Sequence, residues 1–247
     1  MSVRVGLLLC DHVRPGFRAV AGDYPDFFAS MFGAHPDIEL VTFDLTEGEF
    51  PPDLDACDGW ITTGSRHSVH DQIDWIGRLG DLIRRFDEEG RRFVGVCFGA
   101  QMLAHALGGV VVTAPQGWQV GVKEVEVVAR RPWMDPPAAS YRILHSNADQ
   151  IVDPGPRLSV LGCSPGVPIS LVAGGDHMIG FQGHPDFERA YASVLMEARR
   201  GQIPDPVVDV GLSTLGMTPD RPLLAAWIAR FLTPKGNRTV LAEVDSI

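Results

Sequence analysis

The chain has 247 residues, 45% of them hydrophobic and 21% charged, with a formal net charge of −10. That is room for one α/β domain, or one with a small elaboration, at a composition ordinary for soluble globular proteins. The acidic balance and scattered Lys and Arg argue against nucleic acid or an anionic membrane as partner, and cysteines at 10, 57, 97 and 163 fit neither a disulfide framework nor a metal-like spacing.

Val3–Leu9 is a continuous apolar run, as expected of a parallel strand buried on both faces. It is too short for a secretion signal and meets Asp11, His12 and Arg14 directly, so a first core strand is expected. No stretch approaches the roughly 20 apolar residues of a membrane helix, and a cytoplasmic location is expected. A short helix follows at Asp26–Phe32. Ile38–Leu45 reads as a second strand, and Gly59–Thr63 as a third that runs into Gly64-Ser65-Arg66. Ile73–Glu89 is the clearest helix, because Ile73, Ile76, Leu79, Leu82, Ile83 and Phe86 recur at helical spacing and Gly90 stops it. Phe93–Val96 is a fourth strand, and Gln101–Leu107 a helix closed by Gly108-Gly109. This alternation predicts an α/β fold with a mostly parallel central sheet flanked by helices.

The second half changes character. Val110–Thr113, Val122–Ala129, Tyr141–Leu144, Leu158–Cys163 and Ile169–Gln182 read as strands with little helix between them, which predicts a small antiparallel add-on sheet. Helices are expected at Phe187–Arg200 and Arg221–Phe231. Residues 1–233 read as a single domain and 234–247 as a polar tail.

Phe93-Val94-Gly95-Val96-Cys97-Phe98-Gly99-Ala100-Gln101 carries the chemistry. An apolar run ends at a thiol with glycine two residues to either side, and a helix begins. A nucleophile elbow needs that arrangement, because its turn is strained and its neighbours must be small. A thiol at a helix N-terminus also sits where the backbone dipole favours negative charge. On its own, such a cysteine serves equally as a nucleophile or as an inert core residue, as Cys10, Cys57 and Cys163 are read.

A cysteine nucleophile needs a base, and the base an orienting acid. Among eight histidines His184 stands out, at the end of an apolar strand and before Pro185. Asp186, across the proline turn, is the expected acid, and Glu188 is the alternative. Acyl transfer also needs oxyanion donors. The Phe98 N–H follows the nucleophile, and Gly64-Ser65-Arg66 ends a neighbouring strand. His67 and His70 form an H-x-x-H pair without an evident third ligand and read as solvated loop histidines, so no metal site is expected. His145 reads either as a pocket residue or as ordinary strand polarity, and Trp118 either as a substrate anchor or as a packing aromatic.

Gly95-Val96-Cys97-Phe98-Gly99-Ala100-Gln101 resembles the G-x-C-x-G-x-Q elbow of class I glutamine amidotransferases. Gln182-Gly183-His184-Pro185-Asp186 is similar to their Q-x-H-P-E segment, and Ile61–Arg66 to the strand and G-G-P oxyanion loop. Asp11–Val13, Gly22–Pro25, Pro115–Trp118 and Ser146–Gln150 resemble segments of the stand-alone, GMP synthase-like branch. The likeness runs from about Val3 to Phe231. It implies a flavodoxin-like fold and a role for each matched position. Cys97 attacks the γ-carbonyl of glutamine, His184 moves the proton, and Asp186 stands in for the family glutamate. The Ser65 and Phe98 N–H groups hold the oxyanion. Gly64, Gln101, Gln116, Trp118 and Gln119 surround the substrate. The chain departs from the pattern at Asp186 for glutamate, Asn147 for histidine, Arg66 for proline and Ser65 for glycine.

No cofactor is expected, and no phosphate-binding G-x-x-x-x-G-K-[ST] loop is present. An ammonia-accepting synthetase would therefore be a separate subunit. The same thioester chemistry also fits a γ-glutamyl peptidase acting on glutathione-like conjugates, and a non-catalytic binding module on the same fold is the third expectation.

Overall fold

The computed structural model describes residues 2–233, and the expected tail 234–247 lies outside them. The strands are β1 (Val3–Leu9), β2 (Ile38–Asp44), β3 (Gly59–Thr62), β4 (Phe93–Val96), β5 (Val110–Thr113), β6 (Gln119–Val127), β7 (Ser140–Asn147), β8 (Asp149–Asp153), β9 (Ser159–Ser164), β10 (Val167–Gly174) and β11 (Met178–Phe181). The helices are α1 (Arg18–Ala21), α2 (Tyr24–Met31), α3 (Asp74–Glu88), α4 (Phe98–Ala106), α5 (Arg189–Glu197), α6 (Asp205–Ser213) and α7 (Arg221–Leu232).

Nine strands form one sheet in the order β2-β1-β3-β4-β11-β10-β9-β6-β7. The pairs from β2 to β11 are parallel. Those from β11 to β7 are antiparallel. The expected antiparallel elaboration thus continues the central sheet, and β5 with β8 makes a separate two-stranded antiparallel sheet. The apolar run Ile169–Gln182, read as one strand, is the hairpin β10–β11, which turns at Gly175-Asp176-His177 with Gly175 at φ +53°.

The strand pleat sorts side chains into two cores. Val5, Leu7, Leu9, Ile61, Val94 and Val96 face the layer built by α2, α5, α6 and α7. Leu8, Trp60 and Phe93 face α3 and α4. Helix α3 buries Ile76, Leu79, Ile83 and Phe86 on that second face. It ends in a Schellman pair, Gly90 N–H to Asp87 O (3.2 Å) and Arg91 N–H to Phe86 O (2.8 Å), with Gly90 at φ +65°. The parallel half points the C-terminal ends of β1, β3, β4 and β11 to one edge of the sheet. In α/β folds the loops at that edge build the site.

Candidate active site

Cys97 connects β4 to α4 at φ +50° and ψ −101°, the one non-glycine residue with positive φ among the described residues. Such a conformation costs about 1–3 kcal/mol and persists only where the surroundings enforce it. Here they do. Cys97 N–H donates to Phe181 O (2.8 Å), and Cys97 O accepts the first helical bond from Gln101 N–H (3.0 Å). Gly95 and Gly99 are pressed together, so a Cβ on Gly95 would lie 2.5 Å from Gly99 O. A Cβ on Gly99 would overlap the Thr62 hydroxyl, which itself accepts from Val96 N–H (3.2 Å). The glycines flanking the cysteine are thus a packing requirement of the β3–β4–α4 corner.

His184 follows β11 and is tied to β7 by its N–H to Leu144 O (2.7 Å). Its ring stacks on Phe187, with centroids 3.6 Å apart and planes 16° apart. Gly64 closes the other side, where a Cβ would meet His184 Cε1 at 2.6 Å. Nδ1 lies 3.2 Å from Asp186 Oδ1, and Asp186 is fully buried. With Nδ1–H donated to that carboxylate, Nε2 is the nitrogen left to meet Cys97. Burial pushes the imidazole down. The negative charges of Cys97 and Asp186, with hydrogen bonds to both, outweigh it and raise His184 to about 9. Glu188, the alternative acid, turns away to Ser30 Oγ (3.2 Å) and Arg221 Nη1 (3.7 Å).

Cys97 opens onto a cleft of about 550 Å³, its mouth included, with Ser65, Arg66, Gln101, Trp118 and Arg199 among its lining residues. A second cleft of about 430 Å³, again with its mouth, carries His184, Tyr24, Phe187 and Tyr191 and shares Ser65, Arg66, Ser146 and Arg199 with the first. Gln101 is buried with its amide NH₂ donating to Asp149 O (2.7 Å). The loop after β3 is braced by Arg66, whose N–H donates to Asp11 Oδ2 (2.9 Å) while its guanidinium grips the same carboxylate. Phe98 is buried beside Trp75, with centroids 5.7 Å apart.

Gly64, Ser65, Phe98, Gln101 and Trp118 therefore gather around Cys97 and His184. Gln116 and Gln119 do not. Gln116 Nε2 donates to Gln150 Oε1 (3.2 Å) and Gly166 O (3.0 Å), and Gln119 Nε2 to Gly117 O (3.3 Å). His145 is buried behind the cleft, 3.3 Å from Asn147 Oδ1, and burial pushes it down to about 3, so it is neutral at any working pH. His67 pairs with Asp71 at 3.0 Å and His70 with Val111 O at 2.9 Å, and no cluster of three or more His, Cys, Asp or Glu suited to a metal occurs among the described residues. Burial raises the Cys10 and Cys57 thiols. No helix among the described residues is long and apolar enough to cross a membrane.

Two residues at the site have no role assigned from the sequence. Asp11 meets Arg66 only through the adjacency of β1 and β3. Arg199 lies just past α5, where charge reads as a solvated helix end.

A family model described as glutamine amidotransferase class-I matches residues 37–193. Gamma-glutamyl peptidase 4 of Arabidopsis thaliana is 29% identical over 175 residues, 68% of this chain and 69% of that protein. The glutamine-hydrolyzing GMP synthase of Thermomicrobium roseum is 38% identical over 99 residues, 40% of this chain and 18% of that protein. A glutamine amidotransferase structure from Thermotoga maritima superposes with a TM-score of 0.76 at 19% identity, over 94% of this chain and 99% of that one, a likeness of fold.

Proposed function

The chain belongs to the class I glutamine amidotransferase family, and from that premise we propose that it is a cysteine-nucleophile hydrolase of γ-glutamyl amide bonds, with glutamine as its simplest substrate. Cys97 gives its thiol proton to His184 Nε2 as Sγ attacks the γ-carbonyl carbon, and the carbonyl oxygen takes the electron pair. The N–H groups of Phe98 and Ser65 receive that oxyanion, in a site where such donors are worth far more than in water. The C–N bond breaks as the imidazolium of His184 gives its Nε2 proton to the leaving nitrogen, and a γ-glutamyl thioester remains. Water, deprotonated by His184, then attacks the thioester and releases glutamate and the thiol. Asp186 keeps Nδ1 protonated throughout, so that Nε2 is the atom that exchanges the proton.

The observation that carries this reading is the strained Cys97 within hydrogen-bond reach of a histidine that is stacked, buried and held by a buried carboxylate. In the glutaminase form, the amine that leaves is ammonia. A second reading has the same support and one more. The four Arabidopsis relatives are gamma-glutamyl peptidases at 27–29% identity.

Glutamine and γ-glutamyl peptides assayed in parallel separate the two. Cys97→Ala should abolish hydrolysis of both while leaving the thermal midpoint intact. Full activity in that variant refutes the mechanism. Failure of a γ-glutamyl electrophile to label Cys97 at neutral pH, while other thiols react, makes the chain a binding module instead.

A further inference from the structure

Arg199 carries a positive charge into the cleft and meets no negative one. Its guanidinium offers five N–H donors. Nη1 donates to Ser146 Oγ (2.6 Å), Nε is buried without a partner, and among the described residues no carboxylate lies within 4.0 Å of it. The nearby acids are engaged elsewhere: Asp11 with Arg66, and Asp149 with Ser68 Oγ and Thr113 Oγ1, each at 2.7 Å. Trp118 lies beside the group, with Cζ 5.2 Å from its ring centroid.

A largely enclosed guanidinium with one neutral partner is a poor structural device. Removing a cation from water costs several kcal/mol unless an opposite charge and hydrogen bonds compensate. Burial lowers Arg199 from its ordinary value, the physical trace of that cost. Such a group is useful where an anion arrives from outside, because its free donors then close a paired, charge-assisted interaction. Arg199 lines the cleft that contains Cys97 and Gln101, and its field reaches the thiol.

We propose that Arg199 is a specificity residue that binds the α-carboxylate of the γ-glutamyl group while the γ-carbonyl is offered to Cys97. The assignment rests on the γ-glutamyl hydrolase reading above and sharpens it. The site then selects acyl groups with a free α-carboxylate, whatever amine leaves. A phosphate or sulfate ester would meet the same cation, but neither places an acyl carbon at the thiol.

The test compares L-glutamine with its α-carboxamide analogue, in which the same γ-amide lacks the charge. Removing one charge-assisted pair from a closed site costs roughly 100-fold in kcat/KM, about 2.7 kcal/mol at 1.36 kcal/mol per decade. The wild type should favour the free carboxylate by that ratio. In Arg199→Gln the ratio should collapse towards one, through loss of the carboxylate substrate and not of the analogue, and Arg199→Lys should restore part of it. No discrimination by the wild type, or equal loss on both substrates in Arg199→Gln at an unchanged thermal midpoint, overturns the assignment. If neither γ-amide is turned over, the hydrolase reading fails separately, and calorimetry of L-glutamate against isoglutamine decides the Arg199 question alone. Tighter glutamate binding that vanishes in Arg199→Gln supports it. Equal binding, or none, refutes it.

Discussion

Replacing Gly64 by alanine puts a methyl carbon 2.6 Å from His184 Cε1, about 0.8 Å inside the 3.4 Å at which ordinary contacts begin. The ring cannot yield by sliding away, because Phe187 stacks on it at 3.6 Å and its backbone is held by Leu144 O at 2.7 Å. The imidazole must tilt or the loop after β3 must retreat, and either motion misaligns Nε2 from the thiol. A misplacement near 1 Å costs about 10²-fold in a positioned reaction, so labelling of Cys97 by a γ-glutamyl electrophile should slow by roughly that factor. Gly64 does not have positive φ, so its backbone accepts alanine, and stability should fall by no more than the roughly 1–3 kcal/mol of a local overpacking. Gly77→Ala is the control: it lies on the open face of α3 with nothing within 4 Å, and it should gain about 0.5–1 kcal/mol with unchanged labelling. A Gly64→Ala protein that labels at the wild-type rate would refute the claim that His184 serves Cys97 from this position.

The remaining predictions concern charge. Asp186→Asn keeps the shape of the buried acid and removes its charge, so turnover should fall by about 10⁴, as for other triad acids, whereas Glu188→Gln should leave kcat/KM unchanged; the reverse pattern would make Glu188 the orienting acid. His184 should titrate near 9 by NMR of its imidazole, and lower in Cys97→Ala, where burial persists but the charge of Cys97 is gone. Its folded value lies above its ordinary 6.5, so the stability it contributes is complete below about 6.5 and is lost as pH rises through about 9. His12 bridges Asp23 (2.7 Å) and Asp44 (2.8 Å); burial lowers it, but the two hydrogen bonds and both charges outweigh that and leave it raised. Asp23 and Asp44 are held below their ordinary 3.8, burial opposing, by bonds that include His12, so the bridge weakens as pH falls through their lowered values and again as it rises through that of His12. His12→Ala should therefore lower the thermal midpoint more at pH 6 than at pH 9, and an equal loss at both would show that the charge contributes nothing.

The parallel half is legible in the sequence because its signals are local. Apolar runs buried on both faces mark β1, β3 and β4, and one amphipathic stripe with a glycine stop marks α3. The short β8, Asp149–Asp153, hides in a polar stretch, since its role is to pair with β5 outside the main sheet. Helix α6 escapes a sequence reading because Pro204-Asp205-Pro206 reads as a turn, while in the structure Pro206 occupies the first turn, where a missing N–H costs nothing. Near the cleft, the strained turn at Cys97 and the His184–Asp186 contact are legible from spacing. Gln116 and Gln119 follow Pro115 in a plausible loop, yet their amides turn to Gly166 O and Gly117 O to satisfy backbone. Which way a long polar side chain turns is settled by partners distant in sequence, and spacing does not record them.

Arg66 makes the same point at the oxyanion loop. The loop that the sequence resembles has proline there, which has no N–H and a fixed φ. Arg66 has an N–H, but Asp11 takes it at 2.9 Å, and the guanidinium wraps the same carboxylate and reaches His12 O at 3.1 Å. Neither proline nor this arginine leaves an N–H at position 66 for an oxyanion, which is why Ser65 is the donor we assign from the loop. What proline does by covalent restriction, the Asp11–Arg66 pair does by anchoring the loop to the end of β1. The cost is a dependence on one carboxylate that is only 7% exposed. The Arg66 charge is met by that carboxylate, so the wall that the two clefts share at Arg66 gains no unpaired cation. The substitution at Arg66 thus leaves the proposed chemistry intact and replaces a covalent restraint on the loop with an ionic one.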